Sequence, residues 1–267
     1  MNYKALRNGA TVLYIFAVAA LFVAPALGQG RGGGQAGPPP SPRDAAPMDL
    51  TGYWVSIVTE DWRYRMVTPA KGDYASVPLN AEGRKMADTW DPAKDEASGN
   101  QCKSYGAAAL MRVPGRLHIT WADDSTLKIE TDAGTQTRLL QFGTAQPAAG
   151  EPAWQGSSAA LWDVPPAGRG MGGGVAVRPG QPRAGTLKVV TTHMRPGYLR
   201  KNGVPYSGNA TVTEYFDRTN EPNGDSWLIV TTIVNDPQYL QQEFVTSTHF
   251  KKQADASGWD PTPCSAR

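Results

Sequence analysis

Alternation of apolar and polar residues with a period of two is the feature that most constrains how this chain folds. In "RLHITWA" the residues Leu117, Ile119 and Trp121 lie on one face of an extended chain, and in "TLKIETD" Leu127 and Ile129 do the same. A helix would need a period of about 3.6 residues, so this pattern predicts β-strands. The acidic segment "ADDS" lies between the two stretches, which therefore predict a β-hairpin.

Seven further stretches have the same character, which makes nine candidate strands. They are "TGYWVSIV", "GTQTRLLQF", "SAALWDV", "TLKVVTTHM", "ATVTEYFDR", "SWLIVTTIV" and "EFVTSTHF". Many strands in succession predict a mainly β fold, either a single antiparallel β-barrel or a strongly curved meander. Closure into a barrel would also remove the exposed strand edges.

One segment, around residues 79–100, departs from this pattern. Leu79, Gly83 and Met86 recur at helical spacing, Asn80 suits an N-cap, and Pro92 ends the pattern. The segment predicts one or two helices inserted between the first and second strands.

Residues 1–28 have the composition of a secretory signal peptide. Lys4 and Arg7 precede an apolar stretch, and the small residues Ala26 and Gly28 stand where cleavage requires them. The alternative is a retained membrane anchor. No later stretch approaches the ~20 apolar residues of a spanning helix. We therefore expect a periplasmic or secreted protein with no membrane span after signal cleavage.

Two tracts rich in glycine and proline divide the rest of the chain. Residues 29–47 predict a disordered leader, and residues 164–185 predict a flexible loop within the folded part. The remaining residues, about 220, suit one all-β domain. The predicted organisation is a single β-barrel domain over residues 48–267, interrupted by that loop.

The balance of charge argues against a nucleic-acid partner. The chain has 26 basic and 24 acidic residues, and loss of Lys4 and Arg7 with the signal peptide would make the numbers equal. A nucleic-acid binder shows a basic surplus, because neutralising phosphates supplies most of its affinity. We therefore expect no nucleic acid among the partners.

Cys102 and Cys264 are the two cysteines of the chain. In an exported protein two cysteines most often form one disulfide, and neither belongs to a CxxC motif. The three histidines stand far apart in sequence, so no metal site is predicted. No motif indicates a cofactor, and none specifies a catalytic centre.

Gly52 and Trp54 in "LTGYW" carry the Gly-x-Trp arrangement that opens the first strand of lipocalins. Over nearly the whole mature chain, the order of segments such as "VPLNAEGRKMAD", "NQCKSYGAAALMRVPGRLHITW" and "NGVPYSGNATVTEYFDR" resembles a largely uncharacterised family of exported bacterial β-rich proteins. The resemblance implies a lipocalin-like barrel with Trp54 plugging its base. It brings no established reaction or ligand.

Charged residues placed among apolar ones on strands are the first candidates for a site. Arg138 alternates with apolar residues in "TRLLQF", Glu214 does so in "TVTEYF", and His193 follows an apolar face in "TLKVVTTH". If those faces point inward, Arg138 and Glu214 share one interior and pair, because a buried charge is expensive without a partner. The alternatives are a purely structural ion pair, exposure to water, and a His193 at the rim of the barrel.

The aromatic segment after the first strand supplies the second set of candidates. Alternation in "DWRYRM" puts Trp62 and Tyr64 on one face and Arg63 and Arg65 on the other. With Trp62 and Tyr64 facing inward, the segment would line the upper wall of a ligand cup.

These features favour binding of a small apolar or aromatic ligand at Trp62, Tyr64, Arg138, His193 and Glu214. A barrel of about eight strands can hold one small ligand. Two alternatives stand beside this interpretation. One is a lyase, isomerase or hydrolase with His193 or Glu214 as the base and Arg138 as the anion stabiliser. The other is an envelope interaction module without a ligand.

Overall fold

Nine strands close into a barrel in the structure, a computed structural model that describes residues 38–143, 150–165 and 185–267. Around the barrel the strand order is β1-β11-β10-β9-β6-β5-β4-β3-β2. The barrel strands are β1 (Gly52–Ile57), β2 (Arg116–Trp121), β3 (Thr126–Thr131), β4 (Thr137–Phe142), β5 (Ser157–Asp163), β6 (Thr186–Thr192), β9 (Thr211–Asn220), β10 (Ser226–Asn235) and β11 (Phe244–Lys252). Each of them coincides with one of the nine stretches that the alternation predicts, so the predicted mainly β barrel is confirmed.

One pair of neighbouring barrel strands differs from the antiparallel prediction. Strands β4 and β5 run parallel, with Leu140 opposite Ser158, whereas the other neighbouring pairs are antiparallel. A parallel pair needs a connection that returns along the barrel, and that connection lies partly in residues 144–149, outside the described residues. Side-chain alternation is the same in both pairings, so the sequence pattern could not reveal it.

The helices and a short hairpin all lie at one end of the barrel, which we call the capped end. The register places the end of β1, the start of β2, the end of β10 and the start of β9 at this end. The connections that leave these strands form α1 (Trp62–Met66), α2 (Ala81–Ala87), α3 (Pro92–Ala97), a 3₁₀ turn (Lys103–Tyr105), α4 (Ala107–Leu110) and the hairpin β7 (Gly197–Arg200) and β8 (Val204–Tyr206). The cap is therefore built from segments far apart in sequence.

The predicted helical insertion is confirmed in outline and corrected in detail. The Asn80 side chain accepts a hydrogen bond of 2.8 Å from the Gly83 amide, as an N-cap does. Pro92 does not end a helix but begins α3, where a proline suits the first turn because that amide needs no partner. Met86 is exposed, and α2 instead buries Gly83 and Ala87.

The interior of the barrel is packed with apolar side chains. Trp54, Phe216 and Phe250 are fully or almost fully buried there, as are Ile119 and Ile129. At the capped end, Tyr105, Leu110 and Met111 pack onto the same core. The barrel is thus a filled core over much of its length, as eight-stranded and similar barrels often are.

The last part of the predicted disordered leader has contacts in the structure. The Ala45 amide donates a 2.8 Å hydrogen bond to the Ser41 carbonyl, and the Trp162 indole donates one of the same length to the Pro42 carbonyl. Residues 41–47 therefore lie against the barrel, and the compact unit begins at Pro40 rather than at residue 48. The predicted signal peptide at 1–28 and residues 29–37 of the leader lie outside the described residues.

The predicted disulfide between Cys102 and Cys264 is present. It ties the chain terminus to the segment just before the 3₁₀ turn of the cap. Within the described ranges, no helix has both the length and the apolar content that crossing a membrane would require. The predicted flexible loop at 164–185 falls almost wholly in residues 166–184, which the structure does not describe.

Candidate functional site

Arg138 and Glu214 form a buried ion pair inside the barrel. Their side chains have no exposed surface, and the two guanidinium nitrogens Nη1 and Nη2 lie 3.1 and 2.7 Å from the two carboxylate oxygens. Arg138 Nη2 also donates to Thr191 Oγ1 at 3.1 Å, and Thr191 in turn lies 2.8 Å from Ser158 Oγ. The sequence left open whether these two charges pair directly or through a polar group of a ligand, and in the structure they share one interior and pair directly.

This pairing leaves little for Glu214 to do in catalysis. Both carboxylate oxygens are held by Arg138, and the residue has no contact with solvent. A general base must reach the proton that it removes, within hydrogen-bond distance of a substrate. The arrangement is that of a structural pair whose charges compensate each other in an apolar environment.

His193 lies at the rim of the barrel and not on the interior face. Strand β6 ends at Thr192, and His193 follows it with a left-handed backbone (φ 56°) that breaks the alternation. Its Nε2 atom lies 2.9 Å from the Gly150 carbonyl oxygen. The structure therefore does not bring His193 together with the Arg138–Glu214 pair, and the rim alternative is the correct one.

Trp62 and Tyr64 lie on the short helix α1, which corrects the prediction of an extended, alternating segment. Trp62 is 64% exposed, so it does not line an interior wall. Tyr64 turns toward the cap, where the Arg200 guanidinium stacks on its ring at 4.3 Å from the centroid. The segment begins after Asp61, whose left-handed backbone (φ 48°) redirects the chain out of β1.

A cleft at the capped end is lined by both apolar and charged side chains. It has a volume of about 310 Å³, at the lower limit of the range typical of small-molecule sites. Its apolar wall comes from α1, α4, β7 and the residues just after α1 and α4, through Met66, Val67, Ala109, Val113, Pro114 and Leu199. Its polar wall comes from Tyr64, Ser104, Arg65, Arg112, Arg200 and Lys201.

Three arginines of this cleft are buried and only partly paired. Arg65, Arg112 and Arg200 are 9%, 6% and 4% exposed. Arg65 pairs with the Glu60 carboxylate and donates to the Arg112 carbonyl oxygen at 2.9 Å. Arg112 Nη2 lies 3.1 Å from an Asp61 carboxylate oxygen.

Arg200 has no carboxylate partner among the described residues. Its Nη1 donates to the Ala75 carbonyl oxygen at 2.6 Å, and its face rests on the Tyr64 ring. Four guanidinium nitrogens of the three arginines have no hydrogen-bond partner in the described part of the chain. They are Nη2 of Arg65, Nη1 of Arg112, and Nε and Nη2 of Arg200. A buried donor without a hydrogen-bond partner lowers the stability of a protein by about 1–3 kcal/mol, and by more when the group is charged.

The three guanidinium groups also disfavour one another. Burial lowers the pKa of Arg65, an effect that the Glu60 carboxylate opposes and the Arg112 charge reinforces. Burial likewise lowers the pKa of Arg200, and the charge of Arg112 lowers it further. Among the described residues Glu60 pairs with Arg65 and Asp61 with Arg112, whereas Asp73, which also acts on Arg200, pairs with Arg63. Arg200 is therefore left without a carboxylate of its own.

The cleft combines apolar walls with buried arginines, some of whose guanidinium nitrogens have no partner in the described part of the chain. No protein-family model, curated protein or solved structure matches this chain. The function is therefore inferred from the geometry of the cleft and of the barrel.

Sequence reasoning missed Arg112 and Arg200 and assigned Arg65 only to a polar face. Arg112 directly follows the small and apolar run from Gly106 to Met111, and Arg200 follows Leu199 in β7. Arg138 was identified by its alternation with apolar residues along a strand. Arg112 stands beside an apolar run instead, and that run is the signal that could have identified it. That the three arginines meet depends on how the cap folds, which no local pattern contains.

Proposed function

We propose that the protein binds a small molecule with an apolar or aromatic body, without catalysing a reaction, in the cleft at the capped end of the barrel. The observation that carries the proposal is the composition of the cleft walls. Apolar side chains from α1, α4 and β7 face a cavity of about 310 Å³ beside the ring of Tyr64. Apolar surface with a few placed polar groups is the usual character of a ligand site.

The proposed site differs from the barrel-axis cup that the sequence suggests. The barrel interior is filled by its own side chains, and its polar groups Arg138 and Glu214 satisfy each other. Binding there would require displacing a packed core, which costs several kcal/mol for each large side chain. The cleft already has its space, so a ligand entering it displaces only water.

An exported location fits this proposal. Disulfides persist in oxidising compartments, and the Cys102–Cys264 bridge fastens the terminus beside the cleft. The protein would then act as a carrier or store of its ligand in the periplasm or outside the cell.

Native mass spectrometry of the mature protein isolated from the cells that produce it tests the proposal. We expect a bound small mass that is released by mild activation. The variant Ala109→Phe places a ring in the cleft and should carry no bound small molecule. The control Val245→Phe, on the exposed face of β11, should carry the same small molecule as the unchanged protein. The proposal would be contradicted if the protein carried no bound mass and if apolar compounds did not raise its melting temperature.

A further inference from the structure

We infer that the ligand of the cleft carries an oxyanion, a carboxylate or a phosphate, that docks against the guanidinium groups of Arg65, Arg112 and Arg200. The inference deepens the proposed function and rests on it for the location of the ligand. It concerns the chemical class of the bound group, which the apolar walls alone do not specify.

The number of unpartnered donors points to an anion. Four guanidinium nitrogens of the arginines that line the cleft have no partner in the ranges that the structure describes, and each is fully buried, so a ligand reaches them only when the cleft side chains rearrange. More than nine-tenths of buried polar groups in proteins are hydrogen-bonded, so such a concentration at one cavity needs an explanation. A bound oxyanion supplies it, because one carboxylate offers about four acceptor positions.

The geometry of the donors also points to an anion. Arg200 leaves both Nε and Nη2 free, and these two nitrogens form one edge of the guanidinium plane. That edge accepts the two oxygens of a carboxylate or a phosphate in parallel hydrogen bonds. The opposite nitrogen donates to the Ala75 carbonyl oxygen and the guanidinium face rests on the Tyr64 ring, so the Nε–Nη2 edge is the part of Arg200 that remains for an anion.

The balance of charge points the same way. Among the described residues, the three buried guanidinium groups form ion pairs only with the carboxylates of Glu60 and Asp61. Burying like charges together is unfavourable, and it persists in proteins where a bound anion compensates for it. A neutral ligand would leave the repulsion in place.

Thermal unfolding of the mature protein in the presence of matched probes tests the inference. The probes are benzoate, phenyl phosphate, inorganic phosphate and the neutral benzyl alcohol, each at constant ionic strength. Benzoate or phenyl phosphate should raise the melting temperature in a saturable way, because a ligand that binds only the folded state stabilises it. Their relative effect identifies which oxyanion the arginines prefer.

Two variants make the result specific to the cleft. Arg200→Met removes the free edge and should weaken benzoate or phenyl phosphate at least tenfold, from the loss of charged hydrogen bonds worth about 1.5–3 kcal/mol. Because Arg200 is buried and its replacement could disturb folding, Val67→Glu serves as the second variant. Val67 lines the cleft and is 66% exposed, so the new carboxylate can occupy the arginines without disturbing the core.

Val245→Glu is the control, since Val245 is 56% exposed on β11 and does not line the cleft. Phosphate raises the stability of many proteins by exclusion from their surfaces, so only the difference between the Val67→Glu and Val245→Glu proteins counts. The inference holds if the anions no longer stabilise the Val67→Glu protein but still stabilise the Val245→Glu protein. Equal anion effects in both variants, or no anion effect in the unchanged protein, would overturn it.

The same titrations separate this inference from the proposed function. Protection by benzyl alcohol alone would uphold an apolar ligand and overturn the oxyanion. Protection by inorganic phosphate alone, sensitive to Val67→Glu, would uphold the oxyanion and argue against an apolar body.

Discussion

Arg138 and Arg200 are buried to nearly the same extent and differ in what surrounds them. The Glu214 carboxylate holds both terminal nitrogens of Arg138, whereas Arg200 has one hydrogen bond to a backbone carbonyl. Both side chains leave Nε without a partner among the described residues, but Arg138 has a carboxylate partner and Arg200 leaves Nη2 unpartnered as well. At the residue scale this contrast separates a charge that the fold compensates from one that it does not.

The pair inside the barrel predicts strong coupling between its members. Glu214→Gln and Arg138→Met should each destabilise the protein by about 3–5 kcal/mol, because each leaves the other charge buried and unpaired. The double substitution should cost clearly less than the sum, as denaturant unfolding of the four proteins would show.

The exposed pair Arg43–Asp124 is the control for this cycle. Its nitrogen and oxygen are 3.8 Å apart, and its side chains are 55% and 78% exposed. Arg43→Met and Asp124→Asn should each change stability by no more than about 1 kcal/mol. Additive losses of similar size at both pairs would show that the interior pair is not buried in solution.

Alternation predicted Arg138 and Glu214 correctly because each stands on a strand long enough to repeat its pattern. Tyr64 was predicted to line a ligand wall from an extended segment, whereas it reaches the cap from the helix α1. His193 was misleading because a single left-handed residue ends the alternation, and only the backbone reveals it. Residues at the ends of elements are therefore the ones that sequence periodicity places least well.

At the scale of elements, length decides what the sequence reveals. The barrel strands have six to ten residues, enough for the period of two to be seen. The strands of the β7–β8 hairpin have four and three residues, and α1 has five. Trp62 and Tyr64 favour strands by propensity, but the packing of the cap determines their conformation instead.

The pairing of β5 with β6 predicts that their long connection is dispensable for folding. Seven residues of each strand pair, up to Asp163 opposite Thr186 beside the connection. Replacing residues 166–184 with a short Gly/Ser linker should shift the melting temperature by no more than about 4 °C, because loop-closure cost changes slowly with length.

The same linker placed instead of residues 197–206 is the matched control. That segment buries Leu199, Val204 and Tyr206 in the cap, so its loss should lower the melting temperature strongly. Loss of cooperative unfolding on replacing 166–184 would mean that the connection packs into the core.

At the scale of the whole molecule, the terminal segment links the barrel to its cap. After β11 the chain passes Trp259, which packs edge-on against Tyr53 at 5.9 Å, and reaches the capped end. There Thr262 pairs with Ala133 beside the cleft, and Cys264 closes the disulfide. The cleft is therefore assembled from segments that only the complete fold brings together, which is why the sequence alone did not locate it.

The bridge predicts a joint effect on stability and on binding. Cys102→Ser, Cys264→Ser and the double variant should all lose similar stability, up to about 5 kcal/mol from the chain entropy of so long a loop. Because Thr262 lines the cleft two residues before Cys264, binding of an effective oxyanion probe should weaken as well. A double variant much less stable than either single one, or unchanged binding, would contradict this.

Photolabelling with 4-azidobenzoate is the most direct test of the central claim, that the cleft holds a ligand with an apolar body and an oxyanion. The mature protein is irradiated with the probe and digested, and the modified peptides are identified by mass spectrometry. We expect labelling within residues 64–68, 104–114 and 199–201, suppressed by benzoate and by Val67→Glu and retained in Val245→Glu. Labelling of the barrel strands around Arg138, or labelling that Val67→Glu leaves unchanged, would contradict it.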